Sequence, residues 1–378
     1  MIPFVRILSY GNVIPTIIEP LINGVVCTLF FKNNRVFARG RYWVDAPVST
    51  NWIEQTPTGQ SVDKIFVGQY ITYMLCYSTN KIFGYGSSNS QWGMTNNSYN
   101  KLDLTAQFNA AGISDISSIK TIKSSSFNST CVLMNNGDLY FIGSNPSYQF
   151  GTTVASYSTL TKTLTNVDDV LYSYGAATSG AQCTFAKLKD GTYRACGGVD
   201  ANGIPLNRTD STKRVWTTNT LLNGVKSWSS AGKNLSYIDS NDNLYFIGNS
   251  IESQIGNNNA GAVYYSTPTL VASNVDSGMI SEYNTYYVLK SDLNTLWFAG
   301  SNTYSSLSTT GNTNTVLTFQ SYTFGSKILD YSDNIRSGVL IINLADNSKY
   351  ASGYSGDGRL GTTTTNVVLG SPQTSFPL

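Results

Sequence analysis

The chain contains no histidine in its 378 residues. Histidine is the one side chain whose ordinary pKa lies near neutrality, so Ser-His-Asp and Cys-His catalysis and every imidazole–metal site are excluded. Charge is scarce too: only 12% of residues are Asp, Glu, Lys or Arg, about half the share usual in a soluble domain. The 24 basic and 22 acidic residues leave a net charge of +2, with no block of either sign. That distribution offers no electrostatic footprint for nucleic acid or an anionic membrane. No apolar run approaches bilayer-spanning length, so no membrane insertion is expected. The opening MIPFVRILSYGNVIP lacks a basic head followed by an unbroken apolar stretch and reads as a poor secretory signal. The five cysteines (Cys27, Cys76, Cys131, Cys183, Cys196) form no C-x-x-C pair, and four lie in apolar strand-like runs. They read as small buried hydrophobes rather than a disulfide framework.

What is present is 41% hydrophobic residues, 25 tyrosines and a polar complement dominated by Asn, Ser, Thr and Gly. This palette suits strands and turns, because helical surfaces draw on Glu, Lys, Ala and Arg. Three segments then expose a repeat: NNGDLYFIGSNPSYQFG (135–151), SNDNLYFIGNSIESQIG (240–256) and LADNSKYASGYSGDGRLG (344–361). Each has a polar turn, a short strand, a glycine and a second glycine eight positions later: Gly143/Gly151, Gly248/Gly256 and Gly353/Gly361. A shorter copy carries Gly86, Gln91, Trp92 and Gly93, and weaker copies place Gly40, Gly197 and Gly300 in phase. The seven anchors Gly40, Gly86, Gly143, Gly197, Gly248, Gly300 and Gly353 are 46 to 57 residues apart.

Before each anchor stands an apolar run, a turn and another short run, as in Thr130–Met134, Asn136-Gly137 and Leu139–Ile142. Two strands about such a turn form a hairpin. A single sheet of this kind cannot bury both faces, whereas several arranged radially can. The expectation is therefore an all-β chain, one domain over 1–378, folded as a seven-bladed β-propeller of four-stranded antiparallel blades. FVRILSYG (4–11), which matches the DDVLYSYG (168–175) of the fourth unit, is expected to pair in one sheet with C-terminal strands and lock the ring.

The segments GSNPSYQFG, GSSNSQWG, GNSIESQIG, GSNTYSSLS and GYSGDGRLG resemble the core of the regulator-of-chromosome-condensation repeats, and the resemblance covers essentially the whole chain. It implies a seven-bladed propeller and leaves function open among exchange factors, inhibitors, adaptors and scaffolds. Two departures stand out. The histidine common in that family is missing, and the tryptophan before the first glycine is replaced by Arg39, Tyr85, Ile142, Cys196, Ile247, Ala299 and Ser352.

Candidate chemistry is thin. Gly356–Gly361 matches G-x-G-x-x-G, but the β-branched Thr362–Thr365 follow where a cofactor site needs a helix. Asp239–Asn243 begins like a calcium loop and has Leu244 and Ser250 where glycine and glutamate are needed. Asp168-Asp169 is the only adjacent carboxylate pair and is expected just before a strand, solvated and without a partner. No catalytic residue, cofactor or metal ligand is nominated, and no binding residue is singled out. Of the loop aromatics Trp52, Trp92, Tyr99, Tyr148, Tyr157, Trp216, Tyr264, Tyr265 and Tyr304, Trp92 occupies a core slot of the repeat. The expected function is a non-enzymatic virion component (tail, fibre or capsid decoration) that binds proteins or a host surface through its loops. The alternatives are a cytoplasmic adaptor or small-GTPase exchange factor, and a secreted inhibitor or surface-binding module.

Overall fold

The computed structural model describes residues 21–23, 27–40, 48–68, 71–86, 92, 101–125, 129–172, 183–197, 214–231, 234–250, 253–259, 261, 263–280, 285–303, 313–333, 339–356, 360–361 and 366–367. They form seven four-stranded antiparallel sheets, each taken from one continuous stretch of chain. Blade 3 shows the plan: Ile119–Ser125, Ser129–Met134, Leu139–Ser144 and Ser156–Leu164 pair in sequence order. Blades 1, 2, 4, 5, 6 and 7 repeat it over 21–54, 64–103, 167–218, 227–272, 275–323 and 328–367. First strands of neighbouring blades lie against one another around the axis, and fourth strands form the rim.

Burial follows from that placement. Second strands such as STCVLM (129–134) and VLIINL (339–344) are buried at every position, because both faces of the sheet are covered by other blades. Alternate side chains then serve opposite neighbours. Cys131 and Leu133 join the core shared with blade 4, while Val132 and Met134 join the core shared with blade 2. Fourth strands such as SYSTLTKTL (156–164) are mostly exposed on one face. The long rim strand Val263–Ala272 carries Pro268, which removes a donor from an open sheet edge.

Seven apolar clusters result, one per junction between blades. The seventh closes the ring: Phe30 of blade 1 packs with Val339, Ile341, Ala351 and Leu360 of blade 7. Closure of the described ring is thus face-to-face packing of two complete sheets. The expected strand 4–11 lies outside the described residues. Polar links reinforce the inner ring, with Lys64 Nζ donating to the carbonyls of Ile119 and Lys120 in the next blade and Lys123 Nζ to that of Val170.

The anchor glycines lie at the ends of the third strands or within two residues of them. Six of them (Gly40, Gly143, Gly197, Gly248, Gly300, Gly353) have φ between 99° and 132°, a region L side chains rarely enter, and in several blades the register with the fourth strand slips there. Short helical pieces punctuate the strands: 3-10 turns at Tyr77–Thr79 and Ile116–Ser118, and one α-helix among the described residues. Thr105–Ala110 forms a short helix between blades 2 and 3, where buried Phe108 stacks on Trp92 with ring centroids 5.6 Å apart. It lies within the longest interval between anchors, from Gly86 to Gly143.

Candidate functional site

The strand order gives the ring two unlike ends. At one end lie the tight hairpins between second and third strands, together with the links from each fourth strand to the next blade. The hairpin turns use left-handed residues where the sequence offers them, among them Asn33, Asn34, Gly137, Gly191, Asp242 and Asn347. Aspartates complete several tips. Asp190 Oδ1 accepts from the Thr192 amide at 2.9 Å, Asp292 Oδ1 from the Asn294 and Thr295 amides at 2.9 Å, and Asp346 Oδ1 from the Ser348 amide at 2.8 Å. The amide bond at Asp190 and, at Asp346, the Ser348 hydroxyl together with its amide hold those carboxyls below the usual range; at Asp292 the hydrogen bonds outweigh an opposing effect of partial burial.

Among the described residues, five ion pairs sit at this hairpin end. Arg35 pairs with Glu54, Lys81 with Asp103 at 3.3 Å, Lys120 with Asp168 at 3.0 Å, Lys162 with Asp138 at 3.2 Å and Lys226 with Asp242 at 2.5 Å. Such solvated pairs add little to stability, but each neutralises its own charge locally.

At the other end lie the connections from first to second and from third to fourth strands. The latter span 41–48, 87–101, 145–155, 198–216, 251–262, 301–315 and 355–365, far longer than the opposite hairpins. Where described, they are firmly built. Asn145 donates to the carbonyls of Thr152 and Val154 at 3.0 and 2.7 Å, and its Oδ1 accepts from the Phe150 amide at 3.0 Å. Buried Gln149 donates to the Ser144 carbonyl at 2.9 Å and accepts from the Ser147 amide at 3.0 Å; Gln254 donates to the Asn249 carbonyl at 2.8 Å. The paired glutamines of the repeat are thus loop braces, a role sequence spacing alone does not assign.

The second glycines do more than turn the chain. A Cβ on Gly151 would lie 2.4 Å from the Trp216 ring of blade 4, and one on Gly256 would lie 2.4 Å from Phe319 of blade 6. At Gly361 the neighbour is Arg39 of blade 1 at 2.7 Å, whose guanidinium rests 4.5 Å over Trp52. Each of these three glycines is therefore a socket for the following blade. Burial also lowers the Arg39 pKa to about 10.

The loop end keeps several large side chains in solvent. Val154 is 45% exposed, Val215 48% and Tyr264 42%, and the exposed Arg214 guanidinium lies 4.8 Å over the Tyr148 ring. The other loop aromatics are structural. Trp92 is core and donates to the Tyr73 hydroxyl at 3.2 Å, while Trp52, Tyr157, Trp216 and Tyr265 pack against inter-blade clusters. Tyr99 and Tyr304 lie outside the described residues.

Asp168 and Asp169 lie inside the strand Val167–Tyr172, and both have partners, which corrects the expectation of a solvated, unpartnered pair. Asp168 binds Lys120, and Asp169 accepts from Trp228 Nε1 at 3.0 Å, because the first strand of blade 4 is flanked by blades 3 and 5. Asp239 spends its carboxylate on the amides of Asn241 and Asn243, both at 2.9 Å, and is a hairpin cap. Part of the glycine-rich motif, 357–359, is outside the described residues; Gly361 serves blade 1. All five cysteines are buried thiols, and burial raises Cys76 to about 11 and Cys131 to about 12. Among the described residues, no helix is long and apolar enough to cross a membrane.

No family model matches the chain, and no curated protein matches it by sequence. Solved structures do. Prp20p of Saccharomyces cerevisiae, described with its binding to Gsp1p and histones, matches with a TM-score of 0.69 at 13% identity, covering 94% of this chain and 90% of that one. The chain has the fold of Prp20. Yeast RCC1 (Prp20) bound to Kap60 gives 0.68 at 13% identity over 98% and 91% of the two chains, and human WBSCR16 gives 0.61 at 16% identity over 82% of each. The seven-bladed propeller is shared with Prp20; at these identities the likeness concerns architecture alone.

Proposed function

We propose that this chain is a non-catalytic, protein-binding propeller, a cytoplasmic adaptor or small-GTPase exchange factor, whose partner sits on the loop end. The carrying observation is the asymmetry of the ring. One end is short hairpins with ion pairs formed locally; the other holds the long connections, with Val154, Arg214, Val215 and Tyr264 exposed and Tyr148 half-buried beneath Arg214. Binding surfaces gather on variable loops held by a rigid scaffold, and tyrosine and arginine supply contact area there. The likeness to Prp20, a propeller described with its protein partners, supports this class. A non-catalytic role is supported by the absence of histidine and by the burial of all five cysteines in the core.

A second reading, a virion component, is favoured by one observation. The rim presents hydroxyls rather than charge, as in SYSTLTKTL (156–164), consistent with the charge-poor composition. The two readings separate experimentally. Under the first, the protein accelerates nucleotide release from a small GTPase or captures a cytoplasmic protein; Tyr148→Ala with Arg214→Glu abolishes that, and the hairpin-end variant Lys189→Ala does not. Under the second, the protein co-purifies with viral particles. Loss of binding in Lys189→Ala, with the loop-end variant active, overturns the assignment of the face.

A further inference from the structure

Seven blades on one repeat let each blade serve as a control for the others. A row of three cross-strand side chains crosses blades 2 to 7 at the hairpin-end margin of the core each shares with the next. In blade 3 the row is Thr121, Leu133 and Leu139; in blade 5, Ser227, Ile238 and Leu244; in blade 6, Ser277, Leu289 and Leu296. Blade 2 likewise has Leu75 at the centre. In blade 4 the row is Asp169, Lys187 and Tyr193. A lysine replaces the central aliphatic residue, on the face whose next row, Leu171, Phe185 and Ala195, belongs to the core with blade 5.

A cavity of about 110 Å³ opens at that position. Asp168, Asp169, Lys187 and Tyr193 line it from blade 4, Lys226 and Trp228 from blade 5. Asp169 and Lys187 stand opposite each other across the strand pair, a placement that favours an ion pair, yet none forms. Asp169 Oδ2 accepts from Trp228 Nε1 at 3.0 Å and Oδ1 from the Val170 amide at 2.8 Å. Among the described residues the half-buried Lys187 ammonium has no acceptor. The other lining charges are matched outside the cavity, Asp168 by Lys120 and Lys226 by Asp242. Blade 7 has a comparable polar row, Asp330, Asn343 and Lys349, and there Asn343 bonds the Asp330 carboxyl while Lys349 Nζ donates to the Asn347 carbonyl at 3.1 Å, so its cation has an acceptor. Blade 4 leaves its cation open toward a cavity.

We infer that this cavity binds a small zwitterion, a free α-amino acid with a short side chain. Its carboxylate meets Lys187, its ammonium meets Asp169 beside Asp168, and the Trp228 and Tyr193 rings wall the remainder. The four lining charges sum to zero, which suits a ligand with one charge of each sign. At about 110 Å³ the space suits a compact ligand rather than a nucleotide. The site lies at the hairpin end and is independent of the protein-binding reading.

Calorimetry on the full chain tests this with glycine, alanine and serine, with acetate and methylamine as single-charge probes, and with tryptophan. Small amino acids bind with a Kd on the order of 1 mM, the single-charge probes about tenfold or more weaker, and tryptophan gives no heat. Lys187→Leu restores the repeat's own residue, so the fold and melting temperature are kept while binding is lost. Trp228→Phe frees Asp169 to pair with Lys187 and weakens binding about tenfold with circular dichroism unchanged. The inference is overturned by no heat from any of the three amino acids at about 10 mM, by affinity retained in Lys187→Leu, or by acetate matching glycine.

Discussion

Replacing Gly151 by alanine separates two demands the repeat places on one atom. Gly151 has φ +69°, and a Cβ there would lie 2.4 Å from Cδ1 and Nε1 of Trp216. The left-handed backbone costs a non-glycine residue about 1–2 kcal/mol. Forcing a methyl against a packed indole adds about 1–3 kcal/mol, the usual range for overpacking. Gly191 supplies the control, since its φ is +84° but a Cβ there meets nothing within 4 Å. Both substitutions remove the same freedom from the unfolded chain, so that contribution cancels in the comparison. Urea denaturation is expected to place Gly151→Ala about 1–3 kcal/mol below Gly191→Ala at an unchanged m-value. Adding Trp216→Ala clears the indole, so its cost in the Gly151→Ala background falls by about 1 kcal/mol or more relative to the parent. Equal losses at Gly151 and Gly191 to within about 0.5 kcal/mol, or strict additivity with Trp216→Ala, refute the socket.

Burial raises the Asp330 pKa to about 7 from its ordinary 3.8, so the folded state holds a proton the unfolded chain has released. Stability therefore falls as pH rises from about 4 through about 7 and is level above, and Asp330→Asn flattens that slope in pH-resolved melting. The hairpin carboxyls of Asp190, Asp239, Asp292 and Asp346 are held low, so their contribution is full at neutral pH and lost as pH falls below about 4. Asp292→Asn with Asp346→Asn is expected to lessen that acid loss in melts at pH 3 to 5, a range about the usual carboxylate pKa. All five thiols are buried, so a disulfide exchange reagent labels none rapidly in the folded protein and all five in denaturant; fast labelling of Cys76 or Cys131 contradicts their placement. Tyr73 accepts from Trp92 at 3.2 Å and bonds Thr130 at 2.8 Å and Ser124 at 3.1 Å, so Tyr73→Phe orphans buried partners and costs about 1–3 kcal/mol in urea melts.

The periodic glycines, the polar turns and the apolar runs before them determined the seven units and their hairpins, since each is a short-range property of a few neighbouring residues. Trp92 as core and Asp239–Asn243 as a turn were legible for the same reason, because each occupied a slot that other copies define. The helix at Thr105–Ala110 was not, as six residues between strands give too little pattern to stand out. Only the tertiary structure decided that Gly151 and Gly256 receive rings from the following blade, and that Asp169 meets Trp228 from a residue 59 positions away. It alone brought Phe30 onto Val339 and Ile341, separated Lys187 from an aspartate directly across the strand pair, and sorted hairpins and loops to opposite ends. Those facts depend on packing between different copies of the repeat, and a period in the sequence specifies each copy without saying what its neighbour presses against it.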